Sequence, residues 1–181
     1  MLRNELPSHY FYHDLGHTLY VTMKCNEIGK AEHCSKHELH MLHAAALLHD
    51  TGYIHKYNHH EEESCKIARK LLPGFGYSVD EIKLICEMIM ATKIPQTPKN
   101  KLGEIIADAD LEYLATPHAE FLANNLYKEL HHRHPSLTPE KWDLKQITFL
   151  QNHKFFTTYC KEHKTHEKQK YLDKLLARVV F

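Results

Sequence analysis

The sequence predicts an all-α chain, and three observations carry that prediction. Two capping boxes, Ser35-Lys36-His37-Glu38 and Ser78-Val79-Asp80-Glu81, announce helix starts: the serine accepts from the amide three residues on and the glutamate reaches back. Apolar residues recur at helical spacing, as in Val79, Ile82, Ile85 and Ile89. No segment alternates convincingly with the period of two that a half-buried strand needs.

Taken in order, Phe11–Lys30 reads as the first helix. The Ser35 box opens a second, which runs to about His49 and is closed by Thr51-Gly52. His60–Leu72 follows and stops at Pro73-Gly74-Phe75-Gly76. The Ser78 box opens the next, which ends before the break Ile94-Pro95-Gln96-Thr97-Pro98. Lys101–Leu114 comes next. Thr116-Pro117 and Thr138-Pro139 each set a capping threonine before a proline at a first helical position, where its missing N–H costs nothing. They introduce His118–His131 and Glu140–Lys161, and Glu167–Val179 closes the chain. The expectation is one compact domain over residues 1–181.

Composition narrows the partners. Lys+Arg and Asp+Glu balance at 23 each, so no net basic field draws nucleic acid. Five cysteines without a CxxC pair argue against a disulfide framework and for a reducing compartment. The first residues hold no apolar stretch of signal-peptide length and no run approaches a membrane span, so a cytoplasmic protein is expected. Histidine is the outlier, at 18 residues. It is the commonest metal ligand, but several histidines, His131, His132 and His134 among them, stand in polar stretches that read as solvated surface. Position has to separate ligands from decoration.

Three stretches carry chemistry. In Met41 to Gly52, the run Ala44 to Leu48 is apolar all round and reads as a buried helix, which ends in His49-Asp50. A buried carboxylate at the negative end of a helix dipole needs a positive partner. No lysine or arginine lies between Glu38 and Tyr53, so a metal cation is a candidate; a hydrogen-bonded histidine–aspartate pair in an ordinary core explains the doublet equally well. In Tyr12-His13-Asp14-Leu15-Gly16-His17, the two histidines are four apart and would share one helical face. Both could bind a metal, or one could exchange protons with substrate, or the two could be surface residues; Leu15, Leu19 and Val21 point to a partly buried face. In Leu102 to Leu111, an apolar stripe is flanked by Asp108 and Asp110. Two residues on a helix turn through about 200°, so one carboxylate would meet an ion while the other bonds a ligand histidine or nearby backbone. A solvated acidic pair is the plain alternative.

A histidine, then a His-Asp doublet closing a buried helix, then an aspartate on a later helix resemble the HD superfamily of metal-dependent phosphohydrolases. The resemblance spans about residues 12–114 and leaves 115–181 as a helical extension. It implies metal ligands at His17, His49, Asp50 and Asp108, with Asp108 preferred over Asp110 on the resemblance alone. The Tyr12–His17 run is also similar to the Tyr-His-Asn-x-x-His run of cyclic-nucleotide phosphodiesterases, with Asp14 where they have asparagine; this implies His13 as the acid toward the leaving group. The run His60-Glu61-Glu62-Glu63-Ser64 is similar to the His-Glu-x-x-Ser run of many small HD proteins, and implies that His60 meets substrate phosphate or a second metal, with Glu61 orienting it. The implied catalytic set is His13, His60 and Asp110.

A nitrogen and oxygen donor set without thiolate suits a divalent ion (manganese, iron, nickel, zinc or magnesium), one or two per chain, over calcium. The expected partner is a small phosphorylated substrate, a nucleotide among the candidates, and a homodimer is compatible with the sequence. Two other functions fit it: an HD-type di-iron oxygenase, and a non-catalytic nucleotide-binding module. Beyond Trp142 no chemistry is legible, and Lys93, Lys99 and Lys101 read as a solvated loop.

Overall fold

The computed structural model describes residues 2–179; Met1, Val180 and Phe181, the ends of the expected 1–181 domain, lie outside the described residues. Among the described residues there is no strand, and no helix is long and apolar enough to cross a membrane. In chain order the helices are α1 (Leu2–Glu5), α2 (Leu15–Ala31), α3 (Lys36–Leu48), α4 (His60–Leu71), α5 (Val79–Ala91), α6 (Lys101–Leu111), α7 (Ala119–Arg133), α8 (Pro139–Asn152), α9 (Thr158–His163) and α10 (Thr165–Val179). Short 3-10 turns at Thr51–Ile54, Leu72–Phe75 and Glu112–Ala115 join some of them.

Local chemistry sets the starts. Both capping boxes form, with Ser35 accepting from the Glu38 amide and Ser78 from the Glu81 amide. Asn100 and Thr138 cap α6 and α8 through their side chains. Helices α2 to α6 then pack on one another around a core that includes Ile28, Leu42, Ile85, Met88, Ile89, Ile105 and Ile106. These side chains are fully buried, and each is worth about 1.5–3 kcal/mol on burial. A second core, with Leu114, Ile147, Leu150, Tyr171 and Leu175, seats α7, α8 and α10 beside the Glu112–Ala115 turn. Val79 is the exception on its stripe: at the first turn of α5 it faces solvent, while Ile82, Ile85 and Ile89 face the core.

Three sequence expectations are corrected. α3 is not buried all round, because His43 and Leu47, four apart, face out. Leu15 and Leu19 of α2 are likewise exposed, and only Val21 of that trio is buried. The single helix expected over Glu140–Lys161 is two, broken at residues 153–157. Lys168 of α10 donates to the carbonyls of Leu150 and His153 at the end of α8, and Thr157 caps α9 by accepting from the Cys160 amide.

The turn after α3 positions the His-Asp doublet. A Cβ on Gly52 would stand 1.9 Å from the carbonyl oxygen of His60, so only glycine lets this turn run against the start of α4. Ser64 locks the approach: its hydroxyl donates to the His49 carbonyl at 2.6 Å and accepts from the Gly52 amide at 2.8 Å. The serine of the His60–Ser64 run thus ties α4 to the doublet, and with it His60.

Candidate metal centre

Asp14 caps α2 by accepting from the His17 amide at 2.9 Å. His17 therefore lies in the first turn, while His13 lies on the segment before the helix. The expected sharing of one helical face is corrected: the two rings, 6.0 Å apart and nearly perpendicular, reach the site from a loop and from a helix. His49 and Asp50 arrive from the end of α3, Asp110 from α6 and His60 from the first residue of α4.

Three donor atoms converge, and a fourth stands against two of them. His17 Nε2 is 3.4 Å from His49 Nε2 and 3.0 Å from Asp110 Oδ1. His49 Nε2 is 3.6 Å from the same Asp110 oxygen. Asp50 Oδ2 is 3.5 Å from His17 Nε2 and 3.3 Å from His49 Nε2. Ligand atoms each about 2.1 Å from one small ion lie about 3.0–3.5 Å from one another. The spacing of these pairs is thus close to that of a coordination shell.

Two observations say that the shell wants a cation. Asp50 Oδ2 is buried and makes no hydrogen bond, a cost that a carboxylate oxygen does not bear without a positive partner. His49 donates through Nδ1 to the Ala46 carbonyl at 2.7 Å, which leaves the Nε2 lone pair facing the carboxylates, as a ligand histidine is normally fixed. The carboxylates pull a proton onto His49 Nε2 for the same reason that they would pull a metal ion. Burial works against both charged forms, yet the Asp50 charge holds His49 well above the usual histidine pKa, and the His49 charge holds Asp50 well below the usual carboxylate range. Asp110, whose burial is outweighed by the two histidines, is lowered to about 2. His17, His49 and Asp110 each offer one donor to a common ion, and Asp50 stands against both histidines.

Beside this shell, His60 Nε2 lies 3.4 Å from the other Asp50 oxygen, Oδ1, and 3.6 Å from Glu61 Oε1. Its Nδ1 faces the Tyr57 carbonyl at 3.2 Å, and its ring stacks on Tyr53 with centroids 3.8 Å apart. The other face of the site belongs to His13. Its Nδ1 lies 2.6 Å from Glu129 Oε1, and Glu129 Oε2 accepts from the amides of Tyr12 and His13 at 3.2 Å. Its Nε2 lies 3.3 Å from the Tyr53 hydroxyl. Burial alone would lower the His13 pKa; the hydrogen bond to Glu129 and the Asp50 charge outweigh it and raise it.

The HD domain family model matches residues 11–112, which contain His13, His17, the His49-Asp50 doublet, His60 and Asp110. This chain belongs to the HD domain family. The fold is shared with the crystal structure of a predicted HD superfamily hydrolase from an uncultured Thermotogales bacterium: TM-score 0.61, 21% sequence identity, 93% of this chain and 80% of that one covered. None of the curated proteins compared matches the chain.

Within this HD domain the preference for Asp108 over Asp110 is corrected. Asp110 faces His17 and His49, and Asp108 faces the opposite way, as their 200° separation requires. Asp108 accepts from the amides of Phe156 and Thr157 at 2.9 and 2.8 Å and from the Thr157 hydroxyl at 2.6 Å. It anchors the break between α8 and α9 to the HD core. Burial pushes its carboxyl pKa up despite those three donors. Asp108→Ala is expected to keep its metal but lose about 2–4 kcal/mol of stability, since each orphaned buried donor costs about 1–3 kcal/mol. Urea unfolding and elemental analysis check both halves, and a variant that loses metal at unchanged stability contradicts the assignment.

Sequence reasoning missed Glu129 and Tyr53. Glu129 lies outside the matched HD residues, on α7, and its side chain is fully buried. One signal was available: Ala123, Leu126 and Leu130 make an apolar stripe on which Glu129 stands three residues after Leu126. A carboxylate on a core-facing stripe calls for a partner.

Proposed function

We propose that the chain is a metal-dependent phosphohydrolase acting on a small phosphate mono- or diester. The observation that carries the reading is the grouping of donors from His17, His49 and Asp110 within reach of one ion, with the orphaned Asp50 oxygen against both histidines and a histidine–glutamate pair alongside. These four side chains would hold a divalent ion, manganese, iron, nickel, zinc or magnesium, which when bound supplies Lewis acidity toward water and a phosphoryl oxygen. A second ion would meet His60, Glu61 and the Asp50 oxygen turned toward His60.

The chain's own residues do the rest. Glu129 accepts the Nδ1 proton of His13 and stabilises the imidazolium, the form in which Nε2 carries a second proton to give to a departing ester oxygen. Tyr53 keeps the His13 and His60 rings apart, packing against the first at 4.4 Å and the second at 3.8 Å. The name of the Thermotogales relative, a predicted hydrolase, supports the same chemistry.

The test is chelation followed by reloading with one ion at a time, assayed on p-nitrophenyl phosphate and bis-p-nitrophenyl phosphate. Activity is expected to vanish on chelation and return with a first-row ion, at one or two ions per chain. Reloaded protein that cleaves neither ester but consumes dioxygen with iron bound is an oxygenase. Protein that does neither, yet binds nucleotide, is a regulatory module.

A further inference from the structure

A cavity of about 870 Å³ begins at His13, Asp50, His60 and Asp110 and runs on between α7 and α8. A phosphate group needs only a small part of such a space, whose size matches a whole ligand. Away from the donor cluster its walls are apolar: Leu114, Leu126, Leu130, Trp142, Leu144 and Phe149. Several polar groups on that wall are already committed. The Thr148 hydroxyl donates to the Leu144 carbonyl at 2.9 Å and the Asn152 amide to the Thr148 carbonyl at 2.7 Å. Gln146 donates to Asp143 at 3.1 Å and accepts from the Tyr171 hydroxyl at 2.6 Å. Among the described lining residues, Lys145 is the lone lysine or arginine.

We infer that the substrate's organic group is bulky and apolar: a long alkyl or similarly hydrophobic alcohol esterified to a single phosphate, its hydrocarbon body lying between α7 and α8. This rests on the phosphohydrolase reading. A nucleotide fits the same space poorly. Its base and ribose would leave many hydrogen-bonding groups unpaired against leucine and tryptophan, and a polyphosphate reaching beyond the metal site would find a single lysine.

The inference is tested on metal-loaded protein with n-alkyl phosphates from methyl to decyl, beside a nucleoside 5′-monophosphate. kcat/KM is expected to rise about two- to fourfold per methylene until the cavity is filled, the upper figure corresponding to about 0.8 kcal/mol per buried methylene. A flat series, or a nucleotide preferred over decyl phosphate, overturns the inference. Binding is read apart from turnover. Trp142 is the single tryptophan of the chain, and its fluorescence should change saturably with decylphosphonate below its micellar concentration but not with methylphosphonate. Saturable binding without hydrolysis of any ester upholds the apolar subsite and removes the phosphohydrolase reading; hydrolysis without chain-length dependence does the reverse. Leu144 is half-exposed, so Leu144→Glu should fold. It is expected to cut the decyl-to-methyl rate ratio about tenfold, because the hydrocarbon would lie against a charge. An unchanged ratio in a variant that melts like the parent counts against the subsite.

Discussion

Asp50→Ala is expected to give a folded protein that holds no stoichiometric divalent metal and has no hydrolytic activity. Both oxygens of this carboxylate are engaged in the site, Oδ2 toward His17 and His49 and Oδ1 toward His60. Its removal takes away the one buried oxygen that lacks a hydrogen bond at the centre of the donor set. Loss of a residue that merely orients a ligand already costs about 10–100-fold in metal affinity, so loss of a donor should cost more. Folding should survive, because the deletion removes no core contact and the buried His49 left without its partner can shed its proton. The melting temperature supplies an independent readout. A metal held at 100 times its Kd stabilises the native state by about 2.7 kcal/mol, so the parent should melt higher when the ion is added and the variant should not. Full metal occupancy in the purified variant would remove Asp50 from the ligand set.

What could be read in the sequence was what is local in the chain. Capping at Ser35, Ser78 and Thr138 involves residues three apart, and the stripes of α5 and α6 repeat within a few turns, so both are written in short windows. His49 and Asp50 drew attention because they close an apolar run, and His17 because the order of motifs resembles the HD superfamily. The errors were made by contacts between residues distant in the chain. Asp108 and Asp110 are equivalent in a helical window, and the choice between them is made by Phe156 and Thr157, 48 and 49 residues on from Asp108. The same contact explains the missed break after α8: the amides that a continuous helix would have kept are given to a carboxylate of α6. Local chemistry misled at Asp14, where a cap that could have been recognised moved His13 off the helix, and at Thr116-Pro117, which stand before α7 without capping it.

Glu129 was hidden for the same reason, since 116 residues separate it from the ring it holds. Its removal tests the proton-donor role of His13 more sharply than removing the histidine alone. His13→Ala is expected to retain metal and to lose about 10²–10⁴-fold in rate, the usual contribution of a positioned acid. The loss should be greatest on alkyl phosphates and smallest on an aryl phosphate, whose departing phenolate needs little protonation. Glu129→Gln keeps the size of the side chain and drops its charge. Burial lowers the His13 pKa, while the Glu129 hydrogen bond and charge raise it. With those gone, the Asp50 and Asp110 charges alone oppose burial, so the pKa drops and the proton leaves at lower pH. The acid form does the work, so the rate of the variant should begin to fall at a lower pH than that of the parent as pH rises. A purely structural glutamate would lower the rate at every pH alike. Metal content, the ratio of alkyl to aryl rates and the position of the alkaline limb are therefore measured together on both variants. Full metal with an unchanged ratio in His13→Ala and an unmoved limb in Glu129→Gln would assign the leaving-group proton to water.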